Sequence, residues 1–198
     1  MKKVLLISLI CAAACSLSAC TLSLGGNKTS KSEYDELNSM LSANYSQIEI
    51  TIKNNFTEED ITLESKYTVK YSQSEITVEY RVERFTEFTL ENPETSVKTV
   101  YEGTAVIVGG VISGGEDINL TADIARLSLT FKEELFENVT LTGMYLDADV
   151  KNASGFLGTN ISCTDMHVYA EFLTFFYNIT VNYRQSGHEI EYSYVFTR

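Results

Sequence analysis

The sequence predicts a mostly β domain, built as a single antiparallel curved sheet or half-barrel with one N-terminal amphipathic helix. The composition favours strands, since 12 Tyr and 10 Phe occur among 198 residues with one Pro and no Trp. From residue 47 onward, apolar and polar side chains alternate over long stretches, which is the periodicity of half-buried strands. No linker-like stretch divides these strands into groups, so we expect one domain. A β-sandwich is the alternative architecture.

The first twenty residues have the pattern of an exported protein. The basic pair Lys2-Lys3 precedes an apolar stretch, Val4 to Leu17, that is too short to be a good membrane span. Leu17-Ser18-Ala19-Cys20 then matches the lipobox of bacterial lipoproteins, and the chain therefore resembles that class. The resemblance implies cleavage between Ala19 and Cys20 and a diacylglyceryl group on the Cys20 thiol.

This resemblance divides the chain into three parts. Residues 1–19 are expected to be a signal peptide, 20–31 a lipidated cysteine with a flexible tether, and 32–198 a single β-rich domain. A Gly/Ser/Thr-rich tether of this length spans about 20 Å on average. The anchor would hold the domain in the cell envelope, on the extracytoplasmic face of a bacterial membrane. The sequence leaves the choice between inner and outer membrane open.

The N-terminal part of the domain has helical periodicity. Between Ser32 and Tyr45, one stripe is formed by residues at spacings of three and four, namely Tyr34, Leu37, Leu41 and Tyr45. Such a helix has one apolar face, and that face must pack against another element.

After this helix, the apolar residues recur every two positions, and no longer every three or four. Alternating residues predict strands over 48–52, 61–71 and 76–82, each with one buried and one wet face. The alternation breaks at Arg84-Phe85, which predicts a β-bulge in the third strand.

The middle of the chain is less regular. A strand is expected over 96–108, and two glycine pairs bracket Val111–Ser113 as a hairpin or rim loop. A phosphate-binding loop is excluded there, because no Gly-Lys-Ser/Thr follows and Glu116-Asp117 would repel phosphate. Residues 125–131 alternate like a strand, although 124–136 would also suit a partly helical segment.

The C-terminal third returns to strands. We expect strands over 139–150, 168–173, 176–183 and 190–196, with turns at 154–158 and 185–188. A lipidated cysteine, a tether, a helix and a run of antiparallel strands together resemble the lipoprotein-carrier type of fold. In that fold a curved open sheet wraps around helices and leaves an apolar cavity.

The densest aromatic cluster lies in this last third. It includes Tyr169, Phe172, Phe175 and Phe176. These rings have two interpretations, either as ordinary core or as the lining of a cavity for an acyl chain or another apolar ligand.

Few residues offer catalytic or metal-binding chemistry. On a strand, Cys163, Asp165 and His167 would project from one face and could hold Zn²⁺ or Cu²⁺ if a fourth ligand joined them. The alternative is a solvent-facing row. Asp147 and Asp149 also share a strand face, and solvated acids are the better interpretation. We expect no metal and no cofactor other than the lipid on Cys20.

The net charge and the motifs argue against some classes of function. A net charge of −12 argues against a nucleic-acid partner. No Ser lies in a Gly-x-Ser-x-Gly turn, and we expect no enzyme. The sequence therefore predicts a membrane-anchored, non-catalytic binding module for an apolar ligand, a lipid or a peptide. The alternative is an envelope structural or assembly protein that acts through protein–protein contacts.

Overall fold

The computed structural model describes residues 31–56, 61–86, 96–115 and 128–198. The predicted signal peptide, Ala19, Cys20 and the tether up to residue 30 lie outside these ranges, as do residues 125–127 of the alternating stretch. The described elements are α1 (Lys31–Leu41), β1 (Gln47–Phe56), β2 (Ile61–Tyr71), β3 (Ile76–Thr86), β4 (Ser96–Val108), β5 (Val111–Ser113), a 3₁₀ turn (Glu133–Leu135), β6 (Phe136–Leu141), β7 (Tyr145–Val150), α2 (Ala153–Leu157), β8 (Thr164–Phe172), β9 (Phe176–Gln185) and β10 (His188–Thr197).

The ten described strands form one antiparallel sheet. Their order is β5-β4-β3-β2-β1-β10-β9-β8-β7-β6, so two meanders are joined by the pairing of β1 with β10. In that central pairing Ile50 lies opposite Tyr194. The sheet is not closed, which confirms the predicted open curved sheet. The β-sandwich alternative is wrong, because a single sheet includes all these strands.

One face of the sheet is apolar and buried. Its innermost side chains are 0–9% exposed and include Ile48, Ile50, Ile52, Val69, Val78, Val168, Ile179, Val181 and Tyr194. The opposite face is polar and has ion pairs across neighbouring strands, such as Lys53–Glu191 at 3.3 Å and Lys70–Glu79 at 2.6 Å. Exposed pairs of this kind stabilise a fold little, so the buried apolar face is the main source of stability.

Helix α1 packs on the buried face. Tyr34 and Leu37 of the predicted stripe are buried and Leu41 is half-buried, while Met40, which the stripe did not include, is also buried. The helix ends at Leu41, four residues before the predicted end. Tyr45 still reaches the core because its hydroxyl donates to the Met40 carbonyl at 2.9 Å and accepts from the Phe176 amide at 3.1 Å. Its place in the helical period therefore reflects a tertiary contact.

The segment before β6 fills the core without being a strand. Residues 128–132 have no regular structure, although Leu129 and Phe131 are buried. The Phe131 ring packs against Phe136, Phe156 and Phe176, with centroid distances of 6.0, 5.6 and 5.7 Å. The alternation therefore predicted the burial of Leu129 and Phe131 correctly. The strand that it also predicted is wrong for the described residues of this stretch.

Two further predictions need correction after β6. The single strand expected over 139–150 is two strands, β6 and β7, separated by a turn at residues 142–144. The turn expected at 154–158 includes a short helix, α2. Asn152 caps that helix by accepting from the Gly155 amide at 2.9 Å, and Gly158 ends it in the left-handed region at φ 65°.

The predicted bulge lies at the right level of the sheet but in the neighbouring strand. Val82 pairs with Tyr101 and Glu83 pairs with Thr99, so the extra residue is Val100 of β4. Strand β3 keeps an unbroken register with β2. The pattern broke at Arg84 because that residue is exposed near the end of the strand, and no slip of the β3 backbone was needed.

Candidate functional site

The four aromatic rings predicted to line an apolar site do not share one surface. Phe172 and Phe176 meet edge-on in the core, with centroids 5.6 Å apart. Phe175 lies in the turn before β9, under the guanidinium of Arg198 at 4.6 Å. Tyr169 lies on the polar face and stacks on Tyr145 at 5.9 Å. Strand alternation and the turn separate residues that are close in the sequence.

The space beside Phe172 is small. A cleft of about 50 Å³ lies between α1 and the sheet, and its lining includes Glu33, Glu36, Met40, Phe172 and Leu173. Pockets that enclose a small molecule usually have volumes of roughly 300–1,000 Å³. This cleft is therefore too small for an acyl chain.

The row Cys163, Asp165 and His167 does not have the regular strand geometry on which the metal-site hypothesis depended. Register shifts between Thr164 and His167, and Asp165 has φ 54°, so the regular alternation expected of a strand is broken there. Burial raises the pKa of the Cys163 thiol, which keeps it protonated. Within the described ranges, no three His, Cys, Asp or Glu residues are grouped to hold a metal ion.

His167 instead lies between two carboxylates on the polar face. Its Nδ1 is 2.9 Å from Asp149 and its Nε2 is 3.2 Å from Asp147, both from the neighbouring strand β7. Asn138 donates to the other Asp149 oxygen at 2.7 Å. The sequence placed the two aspartates on one face, but cross-strand pairing, which adds His167, could not be predicted from it.

These contacts predict a pH effect at Asp149. The hydrogen bond from Asn138, followed by that with His167, lowers the pKa of Asp149. A carboxyl with a lowered folded pKa contributes stability above its unfolded pKa and loses it as pH falls through the folded value. Because the Asp149 side chain is 45% exposed, the contribution is small.

We expect Asn138→Gly to raise the pKa of Asp149 toward its usual value, as measured by carboxyl chemical shifts in an NMR titration. Glycine is the suitable replacement because Asn138 has φ 50°, which glycine adopts without strain. The exposed Thr140→Gly on the same strand is the control and should leave the titration unchanged. An unchanged Asp149 midpoint in the Asn138 variant would contradict the assignment.

A polar groove of about 500 Å³ lies near the β9–β10 turn. Its lining includes Asn55, Asp165, Asn182, Arg184 and Glu189. Arg184 pairs with Glu189 at 2.7 Å, so its main charge is already neutralised within the chain. Tyr183 and Ile190 add apolar surface to the amides and carboxylates of this lining.

The most distinctive surface is one margin of the sheet. Strand β5 pairs only with residues 106–108 of β4, and Gly114 then lies against the Thr104 carbonyl. From Ser96 to Gly103, β4 is bonded to β3 on one side and to no described strand on the other. We call this stretch the β4 edge.

Exposed apolar side chains surround the β4 edge. Val97 is 55% exposed, Val100 is 49%, and Val108 and Val111 of the adjoining hairpin are 53% and 72%. The opposite margin, β6, differs because its exposed side chains are the polar Glu137, Asn138 and Thr140. Natural sheets usually protect their edges with charge or bulges. Both margins have an irregular register, in β4 opposite Val82 and Glu83 and in β6 between Glu137 and Thr140. The β4 edge differs in its exposed valines, which lie beside the exposed charges of Lys98 and Glu102.

An edge of this kind has a defined chemistry. Its outward amides and carbonyls can pair with an extended polypeptide, and its side chains select among such partners. The sequence correctly predicted β4 over 96–108, but not that β4 would border the sheet. That position depends on the pairing of β1 with β10, which joins residues far apart in the chain.

The described ranges contain no helix that is both long and apolar enough to cross a membrane. No protein-family model, curated protein or solved structure matches this chain. The resemblance to the lipoprotein-carrier type of fold stays an expectation.

Proposed function

We propose that this protein is a lipid-anchored, non-catalytic module of the bacterial cell envelope that binds an extended segment of a partner polypeptide through the β4 edge. The observation that carries the proposal is the stretch Ser96–Gly103, whose outer side pairs with no described strand and which is bordered by exposed valines. The lipobox ending at Cys20 supports the anchor and the extracytoplasmic location.

The geometry favours a polypeptide over a small apolar ligand. Phe172 and Phe176, the strongest candidates for a ligand lining, are 5% and 0% exposed and packed into the core. The cleft next to Phe172 holds only about 50 Å³. A strand edge, by contrast, needs no cavity, because hydrogen bonds between main chains supply the affinity.

Photocrosslinking in intact cells tests this proposal. A photoreactive amino acid at Val97 should yield an adduct with a second polypeptide, because this side chain borders the edge. The same probe at Val195 is the matched control, since Val195 is 44% exposed on central strand β10, which has neighbours on both sides. Adding Val100→Lys to the Val97 probe should lower the adduct yield about tenfold, as expected if a lysine on the edge costs about 1.4 kcal/mol of binding.

The mass of the adduct separates the two envelope functions. An adduct with a different polypeptide supports the binding module, and one of twice the chain mass supports an assembly protein that pairs with itself. Equal yields at Val97 and Val195, or no adduct at Val97, would contradict binding at the edge.

A further inference from the structure

A second exposed apolar surface lies at the opposite flank of the sheet. Met144 is 63% exposed in the turn between β6 and β7, and Leu173 is 51% exposed in the turn between β8 and β9. The two turns are bonded together, since the Phe172 amide donates to the Met144 carbonyl at 2.9 Å. Met144 and Leu173 thus form one apolar tip, which we call the turn tip.

The start of the described chain lies beside the turn tip. Glu33 and Glu36, in the first turns of α1, line the same cleft as Leu141, Gly143 and Leu173. The tether therefore enters the domain at this flank. Ten residues separate Cys20 from Lys31, and a flexible segment of this length spans about 17 Å on average.

We propose that the turn tip rests on the lipid bilayer, with Met144 and Leu173 inserted among the lipid headgroups. This inference rests on the lipid anchor at Cys20 in the proposed function. A short tether keeps the nearest part of the domain at the membrane surface, and the nearest part is the flank that exposes these two side chains. Burial of each apolar side chain in the bilayer then adds to the attachment that the acyl chains supply.

The surroundings of the turn tip fit shallow contact. Phe175 and Tyr177 meet beside it at a tilted angle with centroids 4.6 Å apart, and a tyrosine ring with its polar hydroxyl suits the membrane–water interface. Arg198 lies over Phe175 and adds a cation. The nearby acids Glu33 and Glu36 favour zwitterionic over anionic headgroups and oppose deeper insertion.

The β4 edge lies near the other margin of the sheet from the turn tip. Eight strand spacings separate β6 from β4 in the sheet, a distance of about 40 Å measured along it. The start of β4 also lies at the opposite strand end from the turn tip, so in this orientation it would face away from the lipid, where an extended polypeptide can reach it.

A polarity-sensitive fluorophore on the full lipidated chain tests the contact. Met144→Cys, Leu173→Cys and Val97→Cys are each labelled in a Cys163→Ser background, because the Cys20 thiol is blocked by its lipid. On reconstitution into phosphatidylcholine vesicles, emission should shift to the blue at positions 144 and 173. It should stay unchanged at position 97, an exposed valine at the opposite end of the strands from the turn tip.

Flotation of the vesicles tests the lipid anchor separately from the docking of the turn tip. If the chain floats with the vesicles and all three labels stay in water, the docking of the turn tip is wrong and the anchor stands. If the chain does not float, or if Cys20→Ser floats equally well, the lipid anchor fails and the inference fails with it.

Discussion

Replacing Phe131 with alanine is expected to lower the free energy of unfolding by about 3–5 kcal/mol, the usual cost of deleting a fully buried phenyl ring. Phe131 is 0% exposed and contacts three other phenylalanines in the core. Neighbours held by the sheet cannot collapse into the space left behind, so the cavity persists. Urea unfolding of the domain measures the change directly.

The control for this substitution is Tyr177→Ala. Tyr177 is 39% exposed and lies on a strand that Phe131 also contacts, through Phe176. Its removal should cost well under half as much as the Phe131 substitution. Similar losses in both variants would show that Phe131 is not the centre of the core.

Asn38→Ala is expected to destabilise the domain by about 2–4 kcal/mol, because two main-chain groups of a buried residue lose their partner. The Asn38 side chain donates to the Phe131 carbonyl at 2.7 Å and accepts from the Phe131 amide at 2.9 Å. It thereby fastens α1 to a segment that has no regular structure of its own. Thermal and urea unfolding should both report the loss.

Asn38→Asp gives the matched comparison. An aspartate keeps an acceptor for the Phe131 amide but loses the donor to its carbonyl, so its stability should fall between those of the alanine variant and the natural chain. Ser39→Ala on the exposed side of α1 should change stability little. If Asn38→Ala is as mild as Ser39→Ala, the bond to Phe131 contributes little.

Local patterns predicted the strands well and their arrangement poorly. β2 and β4 have the predicted bounds, although only Tyr67 and Val69 of β2 and Ala105 of β4 are buried. Tyr45 and Phe131 followed a period for a different reason, because each is buried by a contact distant in sequence. The spacing of apolar residues predicts burial, but it does not distinguish a helix or strand from an irregular segment that packs into the core.

The candidate site depends on which strands are neighbours in the sheet, and a local sequence pattern does not show this. Exposed valines in 96–111 look like ordinary strand residues until the order of the strands shows that β4 borders the sheet. His167 likewise meets Asp147 and Asp149 only through the register of β7 with β8. The sequence therefore did not predict the roles of residues that depend on a neighbouring strand.

Hydrogen exchange of the purified domain tests the open β4 edge most directly. Between Ser96 and Gly103, β4 is bonded only to β3 among the described strands, so about half of its amides there point away from β3 and should exchange rapidly. Amides of β1 and β10, which are bonded on both sides, should stay protected. Protection throughout 96–103 as strong as that of β1 would show that the edge is already covered and would contradict the proposed function.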